Sequence, residues 1–209
     1  MMAGTPAHPT TGVGVVSAEW RMLMASDPMK APVDHHRRAC AGFGEVVGQV
    51  GDRWGRPSPC TEWDARGVLE HVIGFHDVLL LRPFSAKPQR PKDDPVVRWQ
   101  VTEAAISGLI GGRRDHVVEV PGDRVIDLVH LLPMLTTDVL VHTWDLARAA
   151  DLPIDLDPEL CQLSMAAAGG SSAIAASGLY DPPVDVPADA NIQARLVACM
   201  GRDPRWVPG

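Results

Sequence analysis

The sequence has no CxxC pair: Cys40, Cys60, Cys161 and Cys199 lie far apart. With no charged segment followed by an apolar one before them, they read as reduced thiols of a cytoplasmic protein. No apolar run approaches the ~18 residues that a membrane helix requires; the run Val78 to Leu81 ends at Arg82 and Pro83. Basic residues are also short, with 19 Lys and Arg against 26 Asp and Glu and a net charge of −7. That balance argues against nucleic acid, because counterion release needs clustered Lys and Arg. The chain contains no GxSxG, no P-loop and no GxGxxG followed by an acidic residue, so hydrolase-elbow, NTPase and dinucleotide readings lack support.

What is there suits one globular domain. The 209 residues are 45% hydrophobic and 22% charged. A chain of that size buries roughly 70% of its unfolded surface, so it needs neither disulfides nor a structural metal, and any metal would serve function. Gly and Pro number 19 each, which predicts well-punctuated elements instead of disorder. Residues 1–32, rich in Pro, Thr, Gly and Met, are expected to form a flexible arm with no assigned function, and residues 33–209 the folded domain.

The apolar rhythm is helical from Val33 onward. Asp34 is the expected cap of a helix to about Trp54, weakened by Gly42, Gly44 and Gly48. A second helix is expected from Glu62 to about Leu81, with Thr61 and Asp64 as a capping box. Lys87 to Pro91 reads as a basic linker. Asp94-Pro95 caps a third helix that Gly111-Gly112 stops. His116 to Val120 reads as a short strand, closed by Pro121-Gly122. Asp123 opens the longest periodic stretch, to about Ala150, with Pro133 as a kink. Asp157-Pro158 starts an Ala-rich helix to about Ala176, and a last helix runs from Ala188 to Met200. Six helices and one short strand predict an all-α bundle.

One stretch carries potential chemistry. Asp138 and His142 are four apart and share a helix face, where a carboxylate and an imidazole can reach one divalent cation. A third ligand must come from another helix, and His71, mid-helix among core residues, is the best placed. Asp145, one turn beyond His142, can accept the proton of the other imidazole nitrogen. His130, twelve residues before His142, is a further pocket candidate. On spacing alone a histidine beside an apolar stripe is more often a hydrogen-bonded core residue, so D-x-x-x-H by itself is a weak pattern. His35-His36 reads as a solvated helix start and His76 as a surface residue on another face. Cys60 precedes a helix N-terminus, where a dipole can lower a thiol pKa, but a small buried residue is its commoner role. Trp144 reads as core.

Four ordered segments together are more specific. Pro57 to Asp64, Glu70-His71-Val72, Asp138 to Ala149, and Ala188-Asp189-Ala190 through Gly201 to Trp206 resemble the actinobacterial metal-binding branch of the DinB-like superfamily, the group related to mycothiol-dependent maleylpyruvate isomerases. The resemblance spans residues 34–206. It implies a DinB-like four-helix bundle with extra helices, holding a divalent metal, zinc or nickel, through His71, Asp138 and His142. In the isomerase relatives the acidic ligand is Glu, so Asp138 departs by one methylene. It also implies mycothiol as a cosubstrate, in a thiol transferase or thiol-dependent isomerase acting on a small electrophile; the assisting residues, Asp145 and His130, come from their spacing to His142 alone. Two other readings stand beside it: a metal-free enzyme of secondary metabolism using the same cavity for cyclisation or rearrangement, and a non-catalytic small-molecule-binding protein. The expected partner is a small molecule, with neither nucleic acid nor membrane, and the chain a monomer or homodimer.

Overall fold

A computed structural model describes residues 27–167 and 181–208. Among them are six α-helices and one hairpin, the expected all-α architecture. Helix α1 spans Lys30–Val47, α2 Ala65–His76, α3 Pro95–Ile110, α4 Leu128–Ala149, α5 Pro158–Ala167 and α6 Ile192–Cys199. The strands are β1, Val117–Val120, and β2, Arg124–Asp127.

Four helices close a ring in the order α1, α4, α2, α3, each packing on the next and α3 on α1, while α5 and α6 pack outside on α4 and on each other. Phe43, Leu69, Trp99, Leu132 and Leu135 fill the centre with essentially no exposure. Helices α1 and α3 come close at Gly44 of α1. A Cβ there would lie 2.9 Å from Trp99 Nε1, so glycine is what lets α3 lay its largest side chain against α1. Helix α4 is buried on every side from Leu135 to Ala147, as expected of a bundle's central helix.

Helix ends follow local chemistry, in places other than those expected. Asp94 caps α3 by accepting from Val97 N at 3.0 Å, with Pro95 opening the helix as read. Helix α1 begins at Lys30, not at Asp34, so the last residues assigned to the arm are already helical, and Asp34 lies inside the first turns, paired to Arg38. The assignment of residues 1–26 as a flexible arm lies outside the described residues. For α2 the cap is Asp64, which accepts from Gly67 N at 2.7 Å, and not Thr61. Beyond His76 the helix widens into a single π-helical turn, Asp77–Leu81. There Asp77, buried, is gripped by Arg90 and Lys87, so the basic segment read as a linker also neutralises a buried carboxylate.

The largest difference is after the first strand. Arg124–Asp127, read as the start of the long helix, is a second strand antiparallel to the first, with Val117 opposite Asp127 and Val120 opposite Arg124. Gly122 and Asp123 take positive φ, 87° and 54°, in the turn, a conformation that Gly and Asp tolerate better than most residues. The long helix therefore starts at Leu128, capped by Asp127 through Val129 N at 3.0 Å. The last helix starts at Ile192, capped by Asn191. The expected end of α5 near Ala176 lies outside the described residues. No helix among the described residues is long and apolar enough to cross a membrane.

Candidate metal centre

On buried helix α4, Asp138, His142 and Asp145 recur at steps of four and three and so form one polar stripe. Helix α2 packs against that stripe and carries His71. The result brings together the three residues named from spacing and resemblance. His71 Nε2 lies 3.3 Å and His142 Nε2 3.6 Å from Asp138 Oδ1, and the two imidazole centroids are 4.6 Å apart.

His142 Nδ1 is 2.9 Å from Asp145 Oδ2. A neutral His142 that donates there turns the Nε2 lone pair toward the Asp138 carboxylate. The other carboxylate oxygen, Asp138 Oδ2, is buried and has no hydrogen-bond partner. An orphaned buried carboxylate oxygen costs on the order of 1–3 kcal/mol or more, and a cation would satisfy it together with the imidazole lone pair. The donor set therefore fits a divalent metal. Burial alone would push the Asp138 carboxyl up, but the charge of His142 and the hydrogen bond from His71 outweigh it and hold it below the ordinary aspartate range. The group is thus an anion at neutral pH.

Behind His142 stands a second buried contact. Arg202 Nη2 lies 3.0 Å from Asp145 Oδ2, and Arg202 also donates to Met200 O at 2.9 Å. Asp145 is fully buried and Arg202 nearly so, so this pair fixes the carboxylate that orients His142, as outer-shell groups of metal-binding histidines do. Asp145 accordingly acts on His142 and does not face the cavity. Arg202 lies in one of the quoted segments, but nothing local to it discloses a partner 57 residues away.

The three side chains open onto a cavity of about 340 Å³. Trp63 stacks on His71 with centroids 4.2 Å apart, and Phe75 lies against the same ring at 5.5 Å. Sequence reasoning missed both rings; the only signal was their placement, Trp63 just before the α2 cap and Phe75 one turn after His71. Gly67 keeps Trp63 in place, since a Cβ there would come within 2.8 Å of Trp63 Cβ. Met134, Cys60, Glu62 and Asp181 complete the wall with Arg202. Cys60 is a buried residue whose thiol is pushed up by burial, which favours its packing role over that of a nucleophile. Trp144 is core, as read.

Three histidines stand elsewhere than expected. His130 does not line the cavity: its side chain is 85% exposed and held by Asp127, 2.7 Å away, because it sits in the first turn of α4 on the outward side. His36, read as solvated, and His76, read as a surface residue, are both fully buried. Their helices are diagonal in the ring and meet at its centre, with ring centroids 5.2 Å apart. Burial pushes both imidazoles below their usual pKa, and the charge of His76 disfavours protonation of His36 further.

A pH dependence follows. The unfolded chain binds protons at these histidines near pH 6.5 and the folded chain only lower, so stability is complete above that pH and declines as pH falls below it. The slope approaches about 1.4 kcal/mol per pH unit for each histidine. Melting temperatures of chelator-treated protein between pH 7.5 and 5 should fall accordingly, and His76→Gln should flatten the decline.

The family model of the mycothiol maleylpyruvate isomerase N-terminal domain matches residues 36–105, which include His71. Two uncharacterized proteins of Mycobacterium tuberculosis, Rv0738 of strain H37Rv and MT0763 of strain CDC 1551, are each 35% identical over 153 residues, covering 68% of this chain and 78% of the relative. No solved structure matches the chain. A helical bundle of the expected architecture, the family match and the coverage of these relatives lead to one conclusion: the chain belongs to the mycothiol maleylpyruvate isomerase N-terminal domain family.

Proposed function

We propose that the protein is a metal-dependent thiol transferase or thiol-dependent isomerase that uses a mycothiol-type thiol on a small electrophile. His71, Asp138 and His142 hold a divalent cation, zinc or nickel. The observation that carries the reading is the unpartnered, buried Asp138 Oδ2 beside two imidazoles that turn Nε2 toward the same carboxylate. When bound, a divalent cation there lowers the pKa of a coordinated thiol and supplies thiolate at neutral pH.

The chain's own residues do the rest. Asp145, anchored by Arg202, keeps the Nδ1 proton of His142 in place, so Nε2 stays available as a ligand. Trp63 and Phe75 stack on the His71 ring and fix its orientation. The cavity admits a small molecule from the side of Met134, Glu62 and Asp181, where an electrophile would be positioned. His130 is too far out to take part.

The test is elemental analysis of protein purified after metal supplementation, combined with thermal shift. The wild-type chain should carry one zinc or nickel and His142→Ala none. A cation at a hundred times its Kd stabilises by about 2.7 kcal/mol, which at ~2–4 °C per kcal/mol for a chain of this size raises the melting temperature by about 5–11 °C. Mycothiol added to the loaded protein should raise it again and leave the metal-free protein unmoved. Absence of metal in the wild type, or equal metal in His142→Ala, would sink the reading.

A further inference from the structure

A second group of ligand-type atoms lies in the centre of the bundle, and none of its residues lines the cavity described above. His36 and Cys40, one turn apart on α1, meet His76 of α2, and one donor atom from each lies within 4.8 Å of the others. All three side chains are buried, with exposures of 0, 1 and 0%.

The hydrogen bonds around them leave a conflict. Thr136 Oγ1 gives its only hydrogen to Leu132 O at 2.7 Å. Toward His36 Nδ1, at 3.1 Å, it can therefore only accept, which puts the His36 proton on Nδ1. Val72 O, 2.7 Å from His76 Nδ1, is a carbonyl and likewise only accepts. Each neutral ring is thus protonated on Nδ1, and the two Nε2 lone pairs face each other at 3.2 Å. One hydrogen is at hand, on Cys40 Sγ at 3.6 Å from His36 Nε2, and it cannot satisfy both nitrogens. A further proton would place a charge in a dry core.

We propose that His36 Nε2, His76 Nε2 and the Cys40 sulfur form a second metal site, for a soft monovalent cation, copper(I). Each imidazole has its Nδ1–H anchored to an oxygen and its Nε2 free, as metal-binding histidines do. A cation about 2.0 Å from both nitrogens, the ordinary metal–imidazole length, would see them roughly 105° apart, an angle open to trigonal coordination. Thiolate sulfur selects soft cations. Charge decides the valence: binding releases the Cys40 proton to solvent, the thiolate and copper(I) cancel, and neither changes oxidation state. A divalent ion would leave a net positive charge in the core, where an uncompensated charge is expensive. The site stands independently of the function proposed above.

The test removes the first site and reads the second. Reduced, oxygen-free His142→Ala protein is titrated against the coloured copper(I) complex of bathocuproine disulfonate. It should withdraw one equivalent, and adding Cys40→Ser should weaken that binding by at least the ~100-fold that even an outer-shell loss can reach. X-ray absorption of copper-loaded His142→Ala protein should find one sulfur and two nitrogen neighbours, a readout that stands even if Cys40→Ser proves unstable. No copper withdrawn, copper bound equally after Cys40→Ser, or a copper shell without sulfur would each overturn the proposal.

Discussion

Asp138→Asn should lower affinity for zinc or nickel by about 10²–10³-fold and leave the metal-free fold nearly intact. Structural zinc sites with four ligands bind with ~10–16 kcal/mol, or about 2.5–4 kcal/mol for each ligand, and each 1.4 kcal/mol is tenfold. Asparagine keeps the shape and a carbonyl oxygen, so the loss reports the charge. The stability side of the prediction rests on a different observation. Among the described residues Asp138 Oδ2 has no hydrogen-bond partner, and an asparagine oxygen can still accept from His71 Nε2, 3.3 Å away, so the metal-free chain keeps that contact. Removing its charge should move the melting temperature of chelator-treated protein by only a few degrees. Competition with a chromophoric chelator gives the affinity and calorimetry the stability. A large fall in stability with unchanged affinity would mean that Asp138 is a structural ion-pair residue and nothing more.

Arg202→Met should have the opposite signature, a large loss of stability. Arg202 and Asp145 are both buried and their closest contact is 3.0 Å. Removing one member of a buried pair strands the other and costs about 3–5 kcal/mol, which for a chain of this length is a fall of roughly 6–20 °C in melting temperature. Asp145→Asn added to Arg202→Met should recover part of that loss, since the stranded charge is gone. Metal affinity should not recover with it, because His142 then faces a weaker acceptor. Losing such an orienting group typically costs 10–100-fold. Recovery of both together would mean that Asp145 has no part in orienting His142.

How legible this was depends on whether a signal is local. Asp94-Pro95 announces α3 within two residues, and its cap is where the sequence puts it. Asp138 and His142 are legible because one helical turn relates them, and His71 because its neighbours are core residues that turn it inward. The second strand was not legible: Arg124–Asp127 is four residues long and runs straight into the helix that the Asp127 side chain caps. Nor were the buried histidines. Helix periodicity says which residues share a face, but the meeting of His36 and His76 is set by the diagonal placement of α1 and α2, a relation between faces 40 residues apart. His130 shows the converse. Twelve residues are about three and a third turns, so His130 faces roughly a third of a turn away from His142, toward solvent. Arg202 follows the same logic, since its meaning lies in Asp145 and not in its own segment.

The unequal exposure of the three first-site ligands bears on residence time. Asp138 and His142, both on α4, are sealed in, whereas His71 on α2 keeps 26% of its side chain exposed. Water taking over a departing ion's coordination would arrive on the side of His71, the most exposed of the three. How long an ion stays would then depend on the packing of Trp63 and Phe75 against His71 as well as on the strength of its bonds. Two chains of equal affinity that differ only at those rings would differ in exchange rate.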